Sequence, residues 1–244
     1  ISHELLTPLN GILGMAQFIA DLPLDEEIHE AADTIITSAR GLEGTLRSVL
    51  DYLHLSQGPV SLHVARFNLN DCLEAIVETY AGLADDKHLE LIYLPGTRGY
   101  DDIEVDRDRM TQIVHVLLSN ALKFTLKGHV SIESAVLPRP TFTAADEEGL
   151  EWVLTVTDTG IGIPLELQKT IFQPFEQADT SRTRAFDGVG IGLALCKVLV
   201  TRMGGALVVD SQPDEGSTFS VSLPLTAANP VPPARTSLPA YPAP

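Results

Sequence analysis

Basic residues are scarce in this chain: 16 Lys and Arg stand against 33 Asp and Glu, a net charge of −17. That deficit argues against a nucleic-acid partner, because phosphate backbones are bound by clustered positive surface. It leaves room for a nucleotide, which needs only a few local donors and a divalent cation. Cysteine is nearly absent. Cys72 and Cys196 stand far apart without metal-ligand spacing, which excludes a disulfide framework and suits two reduced thiols in a cytoplasmic protein. No apolar run approaches the ~20 residues that cross a bilayer. The first residues lack the charged and apolar regions of a signal peptide and fall inside a motif, as expected of a fragment of a longer protein. What is present, 44% hydrophobic and 20% charged residues in 244, suits a soluble globular protein of one large or two smaller domains.

Residues 1–57 carry a helical pattern. Leu5, Leu9, Ile12, Ala16 and Ile19, then Ile28, Ala32, Ile35, Ala39, Leu42, Leu46, Val49 and Leu53, repeat at alternating spacings of three and four, the seam of a coiled coil or bundle. "DLPLDEE" breaks the pattern near Pro23 and predicts a helical hairpin. One hairpin buries too little apolar surface to offset a backbone ordering cost of ~1–2 kcal/mol per residue, so a homodimeric four-helix bundle is expected.

Residues 65–225 mix strand-like runs ("ARFNL", "LELIYL", "HVSIESAVL", "WVLTVTD", "ALVVDS", "TFSVSLPL") with helical stretches near Asn70–Ala84, Arg107–Phe124, Leu165–Phe172 and Ile191–Arg202. The expected fold class is α+β: the hairpin followed by an α/β sandwich with helices over one face of a mixed sheet. "PRPTFTAADEEGLE" reads as a long hairpin loop. Residues 226–244, rich in Pro and Ala, read as a disordered linker to a further module.

Several stretches bear on chemistry. "VTDTGIGIP" ends a strand with Asp158, Gly160 and Gly162; a carboxylate there can accept a hydrogen bond while the glycines let a flat ligand approach. A strand-ending Asp-Gly turn would look the same. "DGVGIGLAL" sets Gly188, Gly190 and Gly192 before a helix, where exposed N–H groups cradle phosphate. The polar segment between them, with Arg182 and Arg184, suits a mobile lid. In "RMTQIVHVLLSNALKFT" Asn120 and Lys123 share a helix face; the amide oxygen suits Mg²⁺ and the ammonium a phosphate, although an ordinary amphipathic helix has such residues too. "SHELLTPLNG" places His3 and Glu4 near the start of the first helix.

The order of these features, His-Glu helix, Asn helix, Asp-x-Gly-x-Gly, Phe172 and Phe175, then a glycine loop, resembles the catalytic core of a sensor histidine kinase up to about Leu225, and "SHELLTPLNGILG" and "FEQADTSRTR" most resemble hybrid kinases. The resemblance implies that His3 is the phosphoryl acceptor, Glu4 its orienting base, and Thr7 a residue for a secondary phosphatase reaction. It implies that Asp158 accepts the adenine amino group, that Asn120 ligates Mg²⁺, and that Lys123 and Arg184 serve the phosphates. Gly160 and Gly162 match the first glycine box, Gly188, Gly190 and Gly192 the second, and Phe172 and Phe175 the aromatic box; Phe175 and, in the closing strands, Thr218 are expected with the glycines among the residues that bind the nucleotide. The function implied is an ATP-dependent histidine kinase that passes a phosphoryl group to an aspartate of a receiver domain. The alternative is a dimerising, ATP-binding scaffold without efficient turnover. An ATP-gated protein related to gyrases and heat-shock chaperones would share the nucleotide site without needing the His-Glu helix.

The sequence departs from the family pattern at four places. Val116 stands where a second asparagine is usual, and valine binds no metal. Leu6 replaces a common basic residue of the His-Glu motif. Asp187 and Val189 replace a small residue and a Ser or Thr in the second glycine loop, and Asp187 adds negative charge near the expected phosphates.

Overall fold

Polar residues start two of the helices. Asn68 accepts the Asp71 N–H at the head of α3 (Leu69–Asp86), and Asp106 accepts the Arg109 N–H at 3.1 Å at the head of α4 (Arg107–Phe124). Both are N-caps that satisfy otherwise orphaned donors. Asp106 also accepts the His63 N–H at 2.8 Å. A computed structural model describes residues 2–20, 22, 25–57, 61–96, 102–139, 149–176 and 190–225, with the backbone alone for residues 2–8 and 57. The long loop expected at 138–151 and the linker expected at 226–244 lie largely or wholly outside the described residues. The chain divides into two compact units, residues 1–60 with 170–198, and residues 61–169 with 199–244.

In the first unit α1 (Ser2–Ala20) and α2 (Glu26–Gln57) form the expected hairpin. Leu9, Leu13 and Ala39 make a buried cluster flanked by Ile36 and Leu46, and Ala16 and Ala32 are buried as well. The apolar stripe is wider than this seam. Ile12, Met15 and Phe18 are each more than half exposed (53%, 63% and 59%), as is Leu42, and Ile28, Ile35 and Leu53 are only slightly less so.

In the second unit β1 (Val64–Asn68) pairs antiparallel with β3 (Asp102–Asp106) in a two-stranded sheet. A five-stranded mixed sheet has the order β2-β4-β5-β7-β6, from β2 (Glu90–Leu94), β4 (His129–Pro138), β5 (Leu150–Asp158), β6 (Ala206–Gln212) and β7 (Gly216–Leu225). Within this sheet β2 and β4 pair parallel and the other neighbours antiparallel. The period of two along a strand puts Val130, Ile132 and Val136 of β4, Trp152, Leu154 and Val156 of β5, and Phe219, Val221 and Leu223 of β7 in the core. Helices α3 and α4 pack on the sheet, α4 burying Met110, Ile113, Val114, Leu117, Leu118, Ala121 and Leu122. The buried Trp152 indole donates to Ser134 Oγ at 3.0 Å, so its N–H is not stranded.

Two expectations change. Residues 102–106, not expected as a strand, form β3. Residues 165–172, expected as a helix, form successive turns. Leu167 and Gln168 donate to Pro164 O, and Gln173 donates back to Thr170 O before Pro174, whose missing N–H cannot extend a helix. The last helix, α5 (Gly192–Arg202), buries Ala194, Leu195, Cys196, Leu199 and Val200. Both cysteines are free and buried, and burial pushes the Cys196 thiol up to about 12.

Candidate functional site

Asp158 continues the buried row of Trp152, Leu154 and Val156 at the end of β5, so the pleat points a carboxylate where a core side chain would otherwise sit. It is 6% exposed. Burial raises its pKa, and hydrogen bonds from the Gly160 N–H (2.8 Å) and from the Ser217 N–H and hydroxyl pull the other way. Ser217 lies directly opposite Asp158 in the β5–β7 register. A buried carboxylate held by fixed donors has its remaining acceptor capacity free for a ligand N–H, the role expected for an adenine amine.

The glycines after Asp158 are required by close approach. A Cβ on Gly160 would strike Phe124 O and would sit 2.7 Å from Asp158 Oδ1. Gly162 has φ +64°, a left-handed conformation that side chains disfavour, and a Cβ there would strike Gln212 O. The loop is tied on both sides: Ile161 donates to Phe124 O at 3.3 Å, and Asp214 donates to Ile161 O at 2.9 Å. The carboxylate, the glycine loop and the end of α4 are thereby brought together.

Asn120 and Lys123 lie half-buried in the last turns of α4. The carbonyls of that helix end are satisfied from outside. Thr125 donates its N–H and hydroxyl to Ala121 O, Lys87 Nζ donates to Leu122 O at 2.8 Å, and Ile161 takes Phe124 O. Lys123 Nζ stands 4.9 Å from the centre of the Phe124 ring. Val116, also half-buried, is one turn before Asn120. Toward α3, Tyr80 Oη and His115 Nδ1 are 3.0 Å apart with ring centres 5.6 Å apart. Burial holds His115 below the usual imidazole range.

Gly190, Gly192, Phe172 and Phe175 belong to the other unit. Phe175, 62% exposed, has φ +68° and donates its N–H to Gly190 O at 3.0 Å. A Cβ on Gly190 (φ +71°) would sit 2.6 Å from Glu176 O. The aromatic segment and the second glycine loop are therefore joined through their backbones. Lys197 Nζ lies 5.8 Å from the Phe172 ring centre.

Thr218 lies on the face of the sheet opposite to Asp158, its hydroxyl 3.1 Å from that of Thr157. Its neighbour Ser217 is the residue that reaches the carboxylate, and sequence reasoning passed over it. The signal was available, since Phe219, Val221, Leu223 and Leu225 mark the inward face of β7 and Ser217 shares their parity. His3, Glu4 and Thr7 lie in the opening turns of α1, their side chains outside the described residues, as are Arg184 and Gly188 entirely.

Residues 105–227 match the family model of the histidine kinase-, DNA gyrase B- and HSP90-like ATPases, and residues 1–58 match the His Kinase A phospho-acceptor domain. Hybrid signal transduction histidine kinase A of Dictyostelium discoideum is 35% identical over 94% of this chain and 11% of its own length. The sensor histidine kinase GacS of Pseudomonas protegens is 36% identical over 92% of this chain and 24% of its own. The chain thus spans less than a quarter of either relative. Full-length ShkA, solved in complex with AMPPNP, aligns with a TM-score of 0.77 at 28% identity, over 93% of this chain and 45% of ShkA. With a helical hairpin ahead of a mixed sheet and a buried carboxylate beside a glycine loop, the chain belongs to the histidine kinases, a gyrase- and HSP90-like ATPase domain joined to a His Kinase A phospho-acceptor domain.

Proposed function

We propose that this chain is the working core of an ATP-dependent protein histidine kinase: residues 65–225 bind ATP, and the hairpin of residues 1–57 presents His3 as phosphoryl acceptor. The observation that carries this reading is the buried Asp158, held by Gly160 and Ser217 beside a loop too tight for any side chain at Gly160. An ionised carboxylate there accepts the exocyclic amine of adenine and repels the carbonyl of guanine. The match to the ATPase family and the AMPPNP held by ShkA support the same ligand.

The chemistry asked of the protein is mostly positioning. An imidazole with the ordinary pKa of ~6.5 is largely neutral near pH 7, so a His3 nitrogen can form a bond to the γ-phosphorus as the bond to ADP breaks. Glu4 takes the ring proton released in that step. Lys123, Arg184 and the glycine-loop N–H groups meet the phosphates. Asn120 supplies one neutral amide oxygen, the kind of donor Mg²⁺ takes when phosphates and water complete its octahedron, and Mg²⁺ supplies charge neutralisation when bound. The phosphoryl group then passes to an aspartate of a receiver domain, with Thr7 serving a separate phosphatase reaction in which water attacks the phosphoaspartate and releases phosphate.

The exposed row of Ile12, Met15 and Phe18 on α1, with Ile28, Ile35 and Leu42 on α2, supports a homodimer in which two hairpins make a four-helix bundle. Among the described residues no helix is long and apolar enough to cross a membrane.

The test is incubation with Mg²⁺ and γ-labelled ATP. Acid-labile label is expected on the chain, absent in His3→Gln, and drained by an added receiver domain. ATP binding without label would contradict the kinase reading.

A further inference from the structure

A connected set of hydrogen bonds leads away from Asp158 through Ser217 to Ser211 and Gln168, two residues to which the site described above assigns no role. Gln168, half-buried in the turns after the glycine loop, spends both protons of its amide on backbone carbonyls: Ile163 O at 2.9 Å and Ser211 O at 2.8 Å. The Ser211 hydroxyl accepts the Ile163 N–H at 2.8 Å, lies 2.8 Å from Gly216 O, and lies 3.1 Å from Ser217 Oγ. Ser217 in turn bonds Asp158 through its N–H and its hydroxyl. Ile163, the last residue of the glycine loop before Pro164, is thus held at both its N–H and its C=O by a pair of residues on different segments.

Proton counting gives the chain a direction. An ionised carboxylate only accepts, so the Ser217 O–H points to Asp158. The Ser217 oxygen is then left to accept, and Ser211 is the neighbouring hydroxyl that can donate to it. Ser211 has one proton to offer Ser217 Oγ and Gly216 O, both on the strand that faces Asp158. Turning the Ser211 rotor away would leave Ser217 free to rotate off the carboxylate. Gln168 fixes the Ser211 main chain and so limits that freedom.

We propose that Gln168 and Ser211 are positioning residues of the nucleotide site, holding the glycine loop at Ile163 and the Ser217 hydroxyl on Asp158, and thereby setting the preference for a 6-amino purine over a 6-oxo purine. The proposal rests on the reading of Asp158 as the adenine acceptor. Neither residue touches the base; both act through Ser217 and Ile163. Losing one oriented hydrogen bond to a charged group corresponds to roughly a tenfold change in an equilibrium constant.

The experiment measures binding of ATP and of inosine triphosphate, whose base carries an oxo group where adenine has its amine, to the full chain between pH 5 and 8. Ser211→Ala and Gln168→Met are each expected to weaken ATP about tenfold while leaving inosine triphosphate within about twofold. Because the Ser217 hydroxyl lowers the Asp158 pKa, Ser211→Ala should also move the acid limb of the ATP profile to higher pH. Ser211→Thr, which keeps the hydroxyl, should restore both the preference and the limb. Equal weakening of the two nucleotides with an unmoved pH profile would overturn the proposal, as would unchanged ATP binding. If Ser211→Ala fails to fold, Gln168→Met carries the same comparison. Asp158→Asn separates the two readings: loss of the preference there but not in the Ser211 and Gln168 variants refutes the positioning role alone, whereas retention in Asp158→Asn refutes the adenine-acceptor reading beneath it.

Discussion

The hairpin and the sheet unit treat their apolar residues in opposite ways. In the sheet unit Trp152, Leu154, Ile132 and Leu223 are completely buried, and the buried carboxylates of Asp106 and Asp158 are hydrogen-bonded. In the hairpin Ile12, Met15 and Phe18 point at least half their surface outward, and among the described residues the buried positions are few or small, Leu9, Leu13, Ala16, Ala32, Ala39 and Leu55. The difference teaches that one unit completes its own core, whereas the other presents a surface that a second copy would close.

The largest effect that would sharpen this contrast is Trp152→Ala. Removing a completely buried indole should cost about 3–5 kcal/mol and leave Ser134 without its donor, seen as loss of the cooperative unfolding transition of the sheet unit in calorimetry. A stable sheet unit after that change would break the comparison from one side. Next comes Ile12→Asp, paired with Phe18→Asp. Both sites are already exposed in the single chain, so the expected outcome is dissociation to monomer by light scattering with ATP binding kept. Unchanged mass would mean that another surface closes the hairpin.

Smaller effects belong to the titrating groups of the sheet unit. Burial raises the Asp158 pKa in the folded state, so folding stability associated with this group is fully present below its unfolded value of about 3.9 and lost as pH rises through the raised folded value. At pH 7 the ionised carboxylate therefore penalises the nucleotide-free fold, and Asp158→Asn should raise Tm there while abolishing ATP binding, the gain vanishing toward acid pH. A lower Tm at pH 7 would contradict this. The smallest effect is expected at His115, whose folded pKa is lowered by burial. Its contribution is present above the unfolded value of about 6.5 and lost as pH falls through the folded one. His115→Gln, which keeps an acceptor for Tyr80, should flatten the fall in Tm between pH 7 and 5.

The same contrast governs what could be read from the chain. The helices of the hairpin follow from its three-four spacing and from Pro23, and α4 follows from its apolar face. Asp158 was legible because it ends a row of alternating core residues. The strand at 102–106 was not, because "DIEVD" has three acidic residues in five and its partner β1 lies some forty residues earlier in the chain. The turns at 165–172 carry the apolar spacing of a helix, but Gln168 donates both to Ile163 five residues back and to Ser211, on a strand more than forty positions away. Ser217 and Thr218 are chemically alike, and only the register against Thr157 and Asp158 tells which one meets the carboxylate. Local pattern carried the elements; long-range pairing carried the wiring of the site.

The most direct test of the central claim is to locate the phosphoryl group. After incubation with Mg²⁺ and ATP, peptides should be prepared under mildly alkaline conditions that preserve phosphohistidine and then read by mass spectrometry. The account predicts one phosphoryl group on His3, absent in Asp158→Asn. Phosphate found elsewhere in the chain, or on His3 in equal amount in Asp158→Asn, would contradict it.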